Sequence, residues 1–499
     1  MTDVAPAFDP DAAPWERGWW WSDQQVAVFD WFRAGAGNLV VRARAGTGKT
    51  TTIIAGVALA PEHNILIAAF NKTIAKELEG RVPRRGIEAK TLHSLGFSYV
   101  RAHTRVRLGE NGERARALTE EVAPDAPKQI ARLIRELHTK VRDCDPMIAI
   151  DGRPEDLAPY AARFDLLPDE EWDARGWDAM RVCDAAFRAM KLAREPSDVI
   201  DFADMIFLPI VHGWVAPRYG MVVVDEAQDM TLAQLTIAVH AGRGRVCVVG
   251  DDRQGIYAFR GADSQALDRL KHVLRAAELG LTVTRRCPKR VVELAAQIVP
   301  DFVAADDAPD GIVDTITATK LLTEVRVGDF VLSRKNAPLV RVCMDLLKRN
   351  VRARIRGNEV GKQVAALIER LHAKHVDDLI SSVKAWTRKE CDRARRRLPE
   401  DAADERIASV CDQESIVLAL ADDAETLTEV DTRCASLFSD DSSPAVMLSS
   451  VHRAKGLEAD TVFVLRDTFR MSGTIEEANL IYVAITRAKR RLVWVEGAA

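Results

Sequence analysis

The run NLVVR at 38–42 ends in the small-residue loop ARAGTGKT at 43–50, and the helix-forming TTIIAGVAL follows directly. Apolar strand, glycine loop, helix: no other part of the sequence restricts the fold as much. Backbone N–H groups close around phosphate oxygens only where small residues permit it, and the dipole at the helix N-terminus adds to the attraction. Such a loop belongs at the carboxyl end of a parallel strand covered by helices. Ala45, Gly46, Thr47 and Gly48 then form the cradle. Lys49 reaches the β- and γ-phosphates, and the Thr50 hydroxyl ligates Mg²⁺. Ala43 stands where the usual pattern has its first glycine, a small-for-small exchange.

Further apolar runs of three to six residues repeat the strand signal at 64–69, 221–224, 245–249, 330–332, 445–449, 461–465 and 491–495. Rich in Val, Ile and Leu, they suit parallel strands covered on both faces. Helical patterns such as 73–79 and 289–298 lie between them, giving doubly wound α/β layers. The strands fall into two groups, which predicts two lobes: residues 1–100 with 200–280, and residues 281–357 with 441–499. The stretches 101–199 and 358–440 read as helical insertions, the second highly charged.

At 499 residues the chain exceeds one core. Its 70 basic and 74 acidic side chains exclude a uniformly basic surface, so a nucleic-acid site must be a local groove. The eight cysteines show no C-x-x-C spacing, which argues against a zinc ribbon, an iron–sulfur cluster and a disulfide framework. No apolar run approaches the roughly 20 residues that span a bilayer. With no signal-peptide pattern at its start, the chain is expected to be cytoplasmic, away from membranes.

Two further strand ends carry chemistry. In MVVVDEAQD (221–229), Asp225 is placed to hold Mg²⁺ and Glu226 to polarise an attacking water, which makes the expected reaction hydrolysis rather than binding alone. In VCVVGDDRQGIYAFRG (246–261), Gln254 can touch the γ-phosphate. Tyr257 and Phe259 either stack on bases or pack in a core; the local sequence leaves both open.

In this order AGTGKT, DEAQD, GDDRQGIYAFRG, TRRCP, SSVHRAKGLE and YVAITRAK resemble the motif set of superfamily-one helicases of the UvrD/Rep branch, spanning nearly the whole chain. The compact size and the FNK and DFADMIFLP stretches are similar to phage-encoded and F-box-type relatives. The resemblance implies two RecA-like domains, each with a mainly helical insertion. It also implies an ATP-driven helicase or translocase on single-stranded DNA and at single-strand/duplex junctions, travelling 3′→5′ in DNA repair, recombination or replication. An accessory protein partner is left open.

Residue by residue, the resemblance implies that Gln24 or Gln25 reads the adenine edge. Arg286 and Arg487 clamp the γ-phosphate as arginine fingers, and Gly456 and Glu458 lie near the ribose. Phe70, Asn71, Thr91, His93, Tyr257, Phe259, Arg260, Ser450 and His452 form the DNA track. His93 and His452 also admit a capping or buried reading. The chain departs from the pattern at Thr51, where an arginine is common, and at Arg285, where a tyrosine stacks on adenine. Arg285 or a tryptophan at 20 or 21 is left to supply that stacking, unless the tryptophans are a hydrophobic plug. A basic helix around 384–397 either grips duplex phosphates or is a solvated face.

Overall fold

The computed structural model describes residues 21–82, 85–168, 170–195, 197–256, 265–398, 400–438, 443–469 and 473–497. Two compact units divide the chain, Met1–Thr282 and Val283–Ala499.

The first unit is built on a six-stranded sheet: β1 (Leu39–Ala43), β2 (Ile65–Ala69), β3 (Ile87–Thr91), β4 (Tyr219–Val224), β5 (Gly242–Gly250) and β6 (Ala277–Leu281). Their order in space is β3-β2-β4-β5-β1-β6, and every pairing is parallel. Alternate residues feed opposite faces. Leu39, Val41, Ile65, Ile67, Met221 and Val223 enter one core layer, while Val40, Leu66, Val222 and Val224 enter the other. Both faces are dry, and that is why these strands read as unbroken apolar runs.

The helices that matter for the site are α1 (Asp23–Ala34), α2 (Lys49–Leu59), α3 (Leu92–His103), α4 (Lys128–Cys144), α5 (Asp204–Val211) and α6 (Leu232–His240). Ile130, Ile134, Leu137 and Val141 form a stripe along α4 that packs into a third core with Val182, Met190 and Phe207. The helical segment between α3 and α5 is thereby anchored to the sheet-bearing part of its own unit. Where α3 crosses α5, a Cβ on Gly96 would lie 1.9 Å from the Met205 carbonyl oxygen, so only glycine permits that approach.

The second unit has its own parallel sheet of six strands: β7 (Ile312–Thr317), β8 (Phe330–Ser333), β9 (Ala353–Ile355), β10 (Val446–Ser450), β11 (Ala459–Leu465) and β12 (Ala488–Glu496). Their spatial order is β7-β12-β11-β8-β10-β9. Helices α7 (Val376–Arg397) and α8 (Glu400–Ala421) belong to its helical segment. Leu379, Val383, Ile416 and Leu420 share one core with Val331, Leu448, Phe463 and Val493 of the sheet.

Two α/β units with parallel sheets agree with the sequence reading. Four strands correct it: β3, β6, β7 and β9 were not anticipated, and these are the edge strands of the two sheets. No helix among the described residues is long and apolar enough to cross a membrane.

Candidate nucleotide and nucleic-acid site

Gly46 and Gly48 adopt φ of 68° and 79°, left-handed values that turn the loop after β1 back on itself. Gly48 is the N-cap of α2 and makes no side-chain cap, so the first turn of the helix presents N–H groups suited to an anion. Lys49 Nζ lies 3.0 Å from Glu226 Oε2. Burial alone would depress the lysine, but the charges of Glu226, Asp251 and Asp225 outweigh it and hold the ammonium above its ordinary value.

Glu226 itself has φ 54°, left-handed and costly for a residue with a Cβ. Its N–H donates to Asp225 Oδ1 at 2.9 Å, which steadies the turn. Asp225 is buried, and burial, then the neighbouring Glu226 charge, push its pKa up to about 7.

From Glu226 the polar contacts continue without a gap. Gln228 Nε2 donates to Glu226 Oε2, and Gln228 Oε1 accepts the Asp251 N–H at 3.1 Å. Asp251 in turn accepts from Gln254 Nε2 at 2.6 Å and from Arg44 at 3.0 Å. Arg44 also pairs with Asp252 at 2.8 Å. Lys49, Glu226 and Gln254 are thus brought into one network through Gln228, Asp251 and Arg44, three residues the sequence reading did not single out. All three fall inside the quoted motifs, but nothing in the letters says that they meet.

Thr50 and Asp225 offer a hydroxyl and a carboxylate, hard oxygen donors of the kind Mg²⁺ takes in small number beside phosphate oxygens and water. Burial first, and the Glu226 charge second, raise the Asp225 pKa, with Lys49 opposing them. The residues fit the ion.

Gln24 and Gln25 each have hydrogen-bond partners within the first unit. Gln24 exchanges two hydrogen bonds of 2.8 Å with Thr282, through its Nε2 and its Oε1. Gln25 accepts the Ser22 N–H and donates to Thr52 Oγ1 at 2.9 Å, directly behind the phosphate loop. Trp21 packs edge-on against Phe29 at 5.0 Å, as a plug would; position 20 lies outside the described residues. Arg81 Nη2 comes within 3.5 Å of Thr51 Oγ1, returning a guanidinium to the place where the motif lacks one. Arg285 is exposed.

In the second unit, Arg286 Nε pairs with Glu458 Oε2 at 2.5 Å. Arg487, only 1% exposed, donates to the carbonyls of Val483 and Leu457 at 2.9 and 3.2 Å. Gly456 turns the intervening loop with φ 81°. Arg286, Arg487, Gly456 and Glu458 therefore meet around one loop.

Of the track residues, Phe70 and Asn71 follow β2, and Thr91 ends β3, with Ala69 and Thr91 paired in register. Asn71 Oδ1 caps one helix through the Ile74 N–H, and Thr91 Oγ1 caps α3 through the Ser94 N–H. His93 Nε2 stands 3.3 Å from Asp143 Oδ1. Its ring faces Phe202, an aromatic the sequence reading passed over although it is 63% exposed. Ser450 stands at the N-cap position of the short helix Val451–Ala454 in the second unit without a side-chain cap bond, and His452 lies within that helix. Tyr257, Phe259 and Arg260 lie outside the described residues.

A glycine loop between a buried parallel strand and a helix, with Lys49 paired to a carboxylate at the next strand end but one, defines a P-loop nucleotide-binding protein. Residues 22–274 match the UvrD/REP helicase N-terminal domain and residues 445–495 the UvrD-like helicase C-terminal domain; the chain belongs to this helicase family. It is 28% identical over 249 residues to DNA helicase II of Rickettsia typhi, covering 46% of this chain and 37% of that protein. It is 23% identical over 518 residues to F-box DNA helicase protein 1 of Schizosaccharomyces pombe, covering 91% and 55%. With DNA helicase II of Escherichia coli it shares 23% over 356 residues, covering 64% and 47%. The chain thus spans about half or less of the length of these relatives.

Proposed function

We propose that this protein hydrolyses ATP and uses the energy to move 3′→5′ along single-stranded DNA, opening duplexes at junctions. One observation carries the ATPase half: the unbroken polar path from Lys49 through Glu226, Gln228 and Asp251 to Gln254. Thr50 and Asp225 would hold Mg²⁺, which when bound would neutralise phosphate charge. Lys49 leaves Glu226 for the β- and γ-phosphates, and the freed carboxylate orients the attacking water. Gln254 exchanges Asp251 for the γ-phosphate, so Gln228 and Asp251 transmit the state of the nucleotide to the strand end that leads to Tyr257, Phe259 and Arg260. Gln24 or Gln25 reads the adenine, and Arg286 and Arg487 meet the charge on the transferred phosphoryl group.

The DNA half is supported by family membership and by the aromatic edge of the first unit. There Phe202 is exposed with His93 beside it, offering faces for stacking worth about 1–3 kcal/mol per base, and Phe70 lies half-buried at the end of β2. Direction rests on the family resemblance. A second reading, a translocase or NTPase subunit with little unwinding by itself, is favoured by one feature. Among the described residues, Leu379, Val383, Ile416 and Leu420 of the helices at 358–437 share the core of the second sheet rather than standing apart from it. ATPase assayed with and without single-stranded DNA, beside unwinding of a forked duplex, decides. Strand-stimulated hydrolysis with unwinding supports the first reading, and stimulation without unwinding the second. ATPase indifferent to DNA overturns both.

A further inference from the structure

Helix α4 ends its buried stripe at Val141 and then places two charged residues at the edge described above. Arg142 is completely buried, an expensive position for a guanidinium unless it is paired. Its Nη2 donates to Asp201 Oδ2 at 2.6 Å, and its Nη1 bonds Asp204 Oδ1. The two aspartates also close on each other. The Asp204 N–H donates to Asp201 Oδ1 at 3.0 Å, and the Asp201 N–H to Asp204 Oδ2 at 3.2 Å. Arg114 adds a second cation 3.6 Å from Asp204. The turn 201–204 is therefore locked from inside, yet it holds the ring of Phe202 out into solvent.

Asp143, the next residue, brings Oδ1 within 3.3 Å of His93 Nε2, and the His93 ring lies 6.0 Å from that of Phe202. The Asp143 carbonyl accepts from Thr231 Oγ1, the cap of α6, which follows DEAQD. Close contact at Gly96 seats the His93 helix directly on α5, whose first residue is Asp204. Nothing in the ATPase chemistry uses this cluster.

We propose that Arg142 and Asp143 are positioning residues. The end of α4 fixes Phe202 and His93 as one strand-facing pair, so the helical insertion sets how tightly the first unit holds single-stranded DNA. This rests on the reading that this edge meets the strand.

The test is a titration of ATPase with oligo(dT) on the full chain. Arg142→Lys keeps the charge but cannot reach both aspartates. It should raise the half-activating DNA concentration about tenfold, with KM for ATP within about twofold of the parent. In a Phe202→Ala background the same change should shift it by less than about twofold, because the ring it holds is gone. Asp143→Ala, at a half-exposed site, carries the same comparison against His93→Ala and decides if Arg142→Lys fails to fold. Equal shifts in both backgrounds, or a parallel rise in KM for ATP, overturn the proposal by making the cluster merely structural. Phe202→Ala and His93→Ala proteins with unaltered DNA activation would instead remove the strand-facing reading on which it stands.

Discussion

Glu226 occupies left-handed backbone, a conformation that costs a non-glycine residue of order 1–3 kcal/mol and persists where surroundings enforce it. Here the enforcement is visible: Asp225 holds its N–H, while Lys49 and Gln228 hold its carboxylate. Glu226→Gln keeps the shape and removes the base. Turnover should fall by about 10²–10⁴ while ATP still binds, measured by single-turnover hydrolysis beside nucleotide titration. Normal hydrolysis would end the water-activation role. Asp225 makes a pH-dependent prediction. An acid whose folded pKa lies above its unfolded value is favoured while protonated, so its contribution is intact below the ordinary carboxylate range and is lost as pH rises to about 7. Asp225→Asn, without nucleotide or Mg²⁺, should therefore raise the melting temperature by about 2–4 °C or more near pH 8 and by little near pH 4.5. An equal gain at both values would show that the carboxyl is not held protonated. Lys49, Asp225 and Glu226 were legible because each ends a motif with one chemical purpose. Gln228, Asp251 and Arg44 were not, because letters do not say which buried polar groups meet across three strand ends.

At the scale of elements, legibility follows burial. Interior strands such as β1, β4 and β11 are covered on both faces and read as apolar runs. IEAKT and AELGL, at the edges of the first sheet, carry charge where the chain meets water, and that interruption hid them. The same physics hid the meeting of α3 and α5. Gly96 falls inside a helix, where glycine costs about 1 kcal/mol against alanine, and only the Met205 carbonyl facing it explains the choice. Gly96→Ala would gain helix propensity and lose that contact. Backbone cannot move aside as a flexible side chain does, so we expect a net loss of about 1–3 kcal/mol in urea unfolding. An unchanged or raised stability would mean that the two helices separate at little cost, and the seating of His93 beside Phe202 would lose its support.

Across the whole molecule, the proposed hydrolysis calls for more positive charge than Lys49 supplies in the first unit. Lys49 faces the charges of Asp225, Glu226 and Asp251, and Arg44 is committed to Asp251 and Asp252. Charge spreading over a departing phosphoryl group calls for planar, permanently ionised side chains. The second unit gathers two of these, Arg286 and Arg487, around the loop of Gly456 and Glu458. Arg286 rests on Glu458, so the two partners separate the possibilities. If the arginine serves the γ-phosphate, Arg286→Ala should lower kcat by about 10³–10⁵ and ATP affinity by less than about tenfold. Glu458→Gln, which releases Arg286 and the 3.6 Å pairing with Lys489 but leaves the guanidinium in the chain, should cost less than about tenfold in kcat. If the ion pair mattered merely for holding the second unit together, both substitutions would lower kcat and the melting temperature alike. Rapid-quench hydrolysis and thermal unfolding of the two variants distinguish these outcomes, and an Arg286→Ala protein with near-normal kcat would leave the γ-phosphate without its proposed partner.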